Sequence, residues 1–148
     1  MSYSFWMVLP VIVLAGVATA LQAPINSTLG RSLDSTIAAA AISFGVGFLG
    51  LFLLALLTGT GASFLRLPQV TWWQYAGGAL GAFYVWAMLW GVPSLGVVTT
   101  IAALIFGQMA MALVLDTFGL FGLPVKELSV FRVGAVVLVS FGLVLSRF

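Results

Sequence analysis

Five apolar stretches, each about as long as a helix that crosses a bilayer, fill nearly all of the 148 residues. They run from Phe5 to Ile25, Ile37 to Leu57, Trp72 to Val92, Leu95 to Leu115 and Val130 to Leu145, with the charges and the Gly/Pro breakers clustered between them. Apolar runs of this length point to membrane-crossing helices and against a soluble core. An all-α integral membrane protein follows, a single transmembrane domain over residues 1–148 with five transmembrane helices. An odd number of spans places the two chain ends on opposite sides of the membrane.

Composition enters only to exclude other classes. Hydrophobic residues make up 63% of the chain and charged ones 5%, against about a quarter charged in soluble domains. Five Lys/Arg against three Asp/Glu give a basic balance too small to imply nucleic acid as a partner. With no cysteine and no histidine there is no disulfide framework, no Cys/His metal site and no histidine base. No nucleophile-base pair, metal cluster or phosphate loop supports an enzyme, and no cofactor is implied. Ala18-Thr19-Ala20 imitates a signal-peptidase site, yet no Lys or Arg precedes the first apolar run, and that run is longer than a usual signal core. Asn26-Ser27-Thr28 fits a glycosylation triplet that abuts a span, a common chance match.

Arg66, Lys126, Arg132 and the amino terminus fall on one side of the membrane, Arg31 and Arg147 on the other. The basic residues that set orientation are therefore nearly balanced, with a slight preference for the amino terminus inside. Near-balance with an odd span count suggests one half of a ten-helix inverted-repeat transporter, because many transporters pair two oppositely oriented halves around a central site. The 148 residues contain no internal repeat, so the second half is expected from an antiparallel homodimer or from an inverted five-helix partner.

Small residues mark the packing faces that helices in lipid need. Ala39, Ser43, Gly47 and Gly50 lie along one face of the second span; Gly77, Gly81 and Tyr84 share a face of the third. Trp86 and Trp90 form an i, i+4 pair opposite Gly77 and meet either lipid or a cavity. Trp72 and Trp73 read as interfacial anchors.

Polar residues inside spans narrow the functional candidates, since an unpaired one is costly in hydrocarbon. Thr19, Gln22 and Asn26 make one stripe on the first helix, and Pro24 within it is expected to break the helix and free a carbonyl near Ala20. Gln22 and Asn26 could bind a small polar ligand or hydrogen-bond to neighbouring helices. Gln108, near the middle of the fourth span, is the strongest single pocket candidate. Ser43 and Thr100 are further polar positions, although a threonine hydroxyl often bonds back to its own helix. Thr100, Gln108 and Asp116 turn by about 80° at each step and cannot all face one narrow cavity. Asp116 is the sole carboxylate attached to a span: a candidate proton carrier if lipid buries it, or a helix-end residue paired with a base such as Arg132. Asp34 sits near the start of the second helix, where it suits the helix dipole.

Taken together, Gln22-Ala23-Pro24-Ile25-Asn26 with Leu29-Gly30-Arg31, Ala41-Ile42-Ser43-Phe44, Gly77 to Ala82, Gly107-Gln108, and Asp116 with Phe118-Gly119-Leu120-Phe121-Gly122 resemble, in order and over almost the full chain, the small five-helix YdcZ-type proteins of the drug/metabolite transporter superfamily. The resemblance implies a multi-pass protein of the bacterial inner membrane, an exporter occurring as single, paired or fused copies. Thr117 stands where that pattern often has histidine after the aspartate, so no relay or metal pair is expected there. The function expected is transport of a small polar metabolite or drug by alternating access, with the lipid bilayer, an inverted copy and a small-molecule substrate as partners. Gln22, Asn26, Gln108, Ser43 and Thr100 would orient that substrate, Trp86 and Trp90 would wall it, Pro24 would act as a hinge, and Gly47, Gly77 and Gly81 would pack helices. A dual-topology ion channel or a non-transporting assembly subunit are the alternatives.

Overall fold

A computed structural model describes residues 5–148; the amino terminus, counted above for orientation, lies outside the described residues. Helices account for the ordered structure, and no strand occurs among the described residues. They are α1 (Phe5–Ser32), α2 (Thr36–Leu57), α3 (Ala76–Leu95), α4 (Val97–Phe118) and α5 (Val130–Leu145), with 3₁₀ turns at Thr60–Gln69 and Trp72–Tyr75 between α2 and α3. Four are long and apolar enough to cross a membrane, α3 being counted from Trp72; α5, at 16 residues, is a shorter apolar helix. The protein is an all-α membrane protein.

The chain divides into two compact units, Met1–Pro93 and Ser94–Phe148. In the first, α1 and α2 form a hairpin through the short link Leu33–Ser35, and α3 packs on it. The link turns on Asp34, whose φ of 50° puts a non-glycine residue in the left-handed region, one that aspartate tolerates better than most. Ser35 then caps α2, its Oγ accepting from the Ala38 N–H at 3.1 Å. The core is small and made of small residues: Ala39, Ala40, Val85 and Leu89 are buried, with Leu29 and Tyr84 against them. At Gly30 the three helices meet, since a Cβ there would stand 3.4 Å from Leu89 Cδ2 and 3.7 Å from Ala39 Cβ. Close backbone approach, here between α1 and α2 with Leu89 of α3 reaching in, replaces the hydrophobic drive that lipid does not supply.

In the second unit α4 and α5 run antiparallel and are tied at both ends. The Thr99 hydroxyl, near the start of α4, donates to the Ser146 carbonyl at the end of α5 at 2.9 Å, satisfying one of the orphan carbonyls every helix leaves. At the other end Arg132 of α5 pairs with Asp116 of α4, and the Lys126 N–H donates to the Asp116 carbonyl at 2.8 Å. Gly119 ends α4 in the left-handed conformation, with φ of 59°. The segment Gly119–Ser129 then makes one 3₁₀ turn and an extended stretch folded back onto the end of α4.

The helix limits differ from the sequence reading most at α1. It continues unbroken past Pro24 to Ser32 instead of ending at Ile25. Packing carries it through: Ala23, Asn26, Ser27 and Gly30 are buried, so neighbouring helices hold this end in place. Pro93 likewise lies inside α3 rather than ending it.

Candidate functional site

Two grooves open on the α1–α2–α3 unit, and Phe44 lines both. The first, of about 490 Å³, is lined by Gln22, Ser43, Phe44, Gly47, Phe48, Leu51 and Val85. The second, of about 390 Å³, is lined by Ile37, Ala40, Ala41, Phe44, Ala82, Phe83 and Trp86. A Cβ at Gly81 would stand 3.3 Å from Phe44 Cζ, so the missing side chain at Gly81 gives the phenyl ring its place between helices.

At the polar end of the first groove, two amides converge on one hydroxyl. Asn26 Nδ2 donates to Ser43 Oγ at 3.0 Å, and Gln22 Nε2 lies 3.5 Å from the same oxygen. The pattern arises because Gln22 and Asn26 lie one turn apart on α1 and Ser43 faces them from the second turn of α2. Asn26 is buried; Gln22 and Ser43 are half-buried. With their N–H₂ groups aimed at Ser43, both amides keep a carbonyl oxygen free of donors among the described residues; Gln22 lines the groove beside Phe44 and Phe48, and Asn26 joins it through Ser43. No charged side chain lines either groove.

The remaining sequence candidates fall elsewhere. Trp86 lines the second groove and stacks on Trp90, with ring centroids 6.3 Å apart and planes within 9°; Trp90 itself is exposed. Gly47 lines the first groove, and a Cβ there or at Gly77 would meet no atom within 4 Å. Pro24 lies in the continuous part of α1. Thr100, Gln108 and Asp116 belong to the second unit. The Thr100 hydroxyl is spent on the Gly96 carbonyl at 2.7 Å, and Thr100 is buried. Gln108 is exposed on α4, without a hydrogen-bond partner among the described residues. Asp116 accepts from Arg132, and Lys126 Nζ stands 3.6 Å from the same carboxylate oxygen. Arg132 also reaches the carbonyls of Lys126 and Glu127 at 3.4 and 3.3 Å.

Sequence reasoning missed the groove walls formed by Phe48, Leu51, Val85 and Phe83. The signal for two of them was present: Leu51 continues the Ser43–Gly47 row at four-residue spacing, and Phe48 follows Phe44 at the same interval. Val85 and Phe83 depend on how α3 lies against α2, which periodicity does not encode.

Comparison with known proteins decides the family. The family described as "Putative inner membrane exporter, YdcZ" matches residues 6–145. The chain belongs to this family. It is 38% identical over 73 residues to the inner membrane protein YdcZ of Escherichia coli strain K12, and that stretch covers 49% of each chain, so the match spans about half the relative's length. No solved structure matches. With four span-length apolar helices, membership makes this a multi-pass protein of the bacterial inner membrane, in a family described as exporters.

Proposed function

We propose that this chain is one five-helix half of an exporter that moves a small polar metabolite or drug by alternating access, assembled from two oppositely oriented subunits. The observation that carries the reading is the Gln22–Asn26–Ser43 cluster at the head of an open apolar groove. Polar groups at one end of an otherwise apolar concavity are what orient a small ligand. The cargo's donor groups would meet the amide carbonyls and its apolar body would lie along Phe44 and Phe48. Across Phe44, Trp86 would wall the second groove. The absence of charge along either lining favours a cargo that is neutral or carries a dispersed charge.

Support for a fifth span comes from the ties in the second unit. Between Thr99 and Asp116, α4 rises about 25 Å at 1.5 Å per residue, and α5 runs from the Arg132–Asp116 pair to the Ser146–Thr99 bond over the same depth. A helix of that rise is a little short of the hydrocarbon thickness, a mismatch that thinning or snorkelling of Arg132 and Arg147 accommodates at modest cost. Gln108 lies midway along that rise and is assigned to the transport path. The two cations on Asp116 favour its helix-end role over that of a proton carrier.

The test is uptake into proteoliposomes of a panel of neutral and weakly charged solutes. Asn26→Leu and Gln22→Leu are expected to lower flux of the transported solute at least about tenfold while leaving the protein inserted and assembled. Wild-type flux in both variants would refute the assignment.

A further inference from the structure

A third cavity, of about 400 Å³, lies at the α1–α2 link and is lined by Ser27, Gly30, Arg31, Asp34, Ser35, Thr36, Ile37, Leu89 and Pro93. It is separate in lining from the Gln22–Ser43 groove, and its chemistry is different: it brings a guanidinium, a carboxylate and a helix start to one opening.

Three of its groups are donors with capacity to spare. The N–H groups of Thr36 and Ile37, in the first turn of the 22-residue α2, have no acceptor among the described residues, as expected of the orphan donors at a helix start. Arg31 uses one nitrogen on the Thr28 hydroxyl, at 3.1 Å, and keeps the rest of its fork. The independent observation is Ser27: its residue is only 6% exposed, yet its hydroxyl has no hydrogen-bond partner among the described residues and is not sealed from the cavity. Although the residue is largely buried, that hydroxyl is open to the cavity, where a ligand oxygen would bond it. Opposite in sign stands Asp34, which lines the same cavity and forms no ion pair with Arg31 or any other described residue.

Depth in the membrane narrows the class of ligand. α1 has 28 residues, about 42 Å of helix, and exceeds the roughly 30 Å hydrocarbon core by about 12 Å. The overhang belongs to its polar carboxyl-terminal end, where Asn26, Ser27, Thr28 and Arg31 lie. The cavity therefore opens at headgroup depth, with Leu89 and Pro93 as its apolar floor.

We propose that this cavity binds a phosphate ester bearing a primary ammonium group, the phosphate held by Arg31, the α2 amino terminus and Ser27, and the ammonium held by Asp34. A helix start with an arginine beside it suits a tetrahedral oxyanion, and the unpaired carboxylate supplies the complementary cation site. The same chemistry occurs in a phosphatidylethanolamine headgroup and in soluble phosphoethanolamine.

Native mass spectrometry of the purified full chain, incubated with equal amounts of phosphatidylethanolamine and phosphatidylglycerol, tests the lipid source; thermal shift with soluble phosphoethanolamine tests the other. The wild type is expected to retain phosphatidylethanolamine about tenfold over phosphatidylglycerol, or to be stabilised by phosphoethanolamine but not by glycine. Asp34→Asn should abolish that preference, and Arg31→Gln should weaken capture of either phosphate. Asparagine tolerates the left-handed backbone of residue 34, so loss in that variant with unchanged melting in the absence of ligand reports the ammonium contact. Equal retention of both lipids together with no response to phosphoethanolamine, or an undiminished preference in Asp34→Asn, would overturn the proposal.

Discussion

Ser43 illustrates how much a single hydroxyl can organise in a chain with so few polar groups. It is the shared acceptor of Asn26 and Gln22, and both amides would be left with unpaired N–H₂ groups in its absence. Ser43→Ala is expected to cost about 1–3 kcal/mol, the penalty for orphaning partly buried donors, and to lower flux; chemical or thermal unfolding in detergent and the proteoliposome assay read the two effects separately. Gly81 is a second control point. Any side chain there meets the Phe44 ring at 3.3 Å, and because that ring lines both grooves, Gly81→Leu should change which solutes are carried more than it changes insertion. Competition assays with solutes of graded size would reveal such a shift.

At the scale of elements, α4 and α5 are pinned at both ends by unlike bonds. Asp116–Arg132 is charge-assisted and partly shielded; Thr99–Ser146 is neutral and better buried. A double-mutant cycle with Asp116→Asn and Arg132→Gln should give a coupling of about 0.5–3 kcal/mol, read from detergent unfolding. Thr99→Val should cost about 1 kcal/mol and increase hydrogen exchange at the carboxyl-terminal turn of α5. The helix limits were legible to within a few residues for α2, α4 and α5, because hydropathy ends where charge and glycine begin. α1 was not, since Pro24 reads as a helix end in one dimension, while burial of Ala23, Asn26, Ser27 and Gly30 against neighbouring helices carries the helix past it.

At the scale of the molecule, the near-balance of Arg and Lys between the two sides bears on assembly. If both orientations occur, single cysteines placed in this cysteine-free chain at Ser2, outside the described residues, and at the fully exposed Phe148 should each be labelled in part by a membrane-impermeant thiol reagent. Labelling at one end alone would fix a single topology and leave the proposed second half to a separate inverted partner. The residue midway through α4 belongs to the same question: Gln108 lacks a partner among the described residues, and an unpaired amide is expensive in hydrocarbon. Gln108→Ala is expected to abolish flux with assembly intact, as judged by crosslinking and transport on the same preparation.

The sequence by itself determined the solvent of this protein, its helical class, the approximate limits of most of its helices and its family, because hydropathy, charge placement and motif order are one-dimensional properties that lipid enforces directly. It also marked Gln22, Asn26 and Ser43 as candidates. Only the tertiary structure decided that those three meet on one oxygen, that Phe44 stands between two grooves, that Asp116 is held by two cations, and that Ser27, Arg31 and Asp34 line one cavity. Each of those facts depends on how separate helices rotate and approach one another, and in a bilayer that is set by close packing of small side chains, which leaves little trace in periodicity.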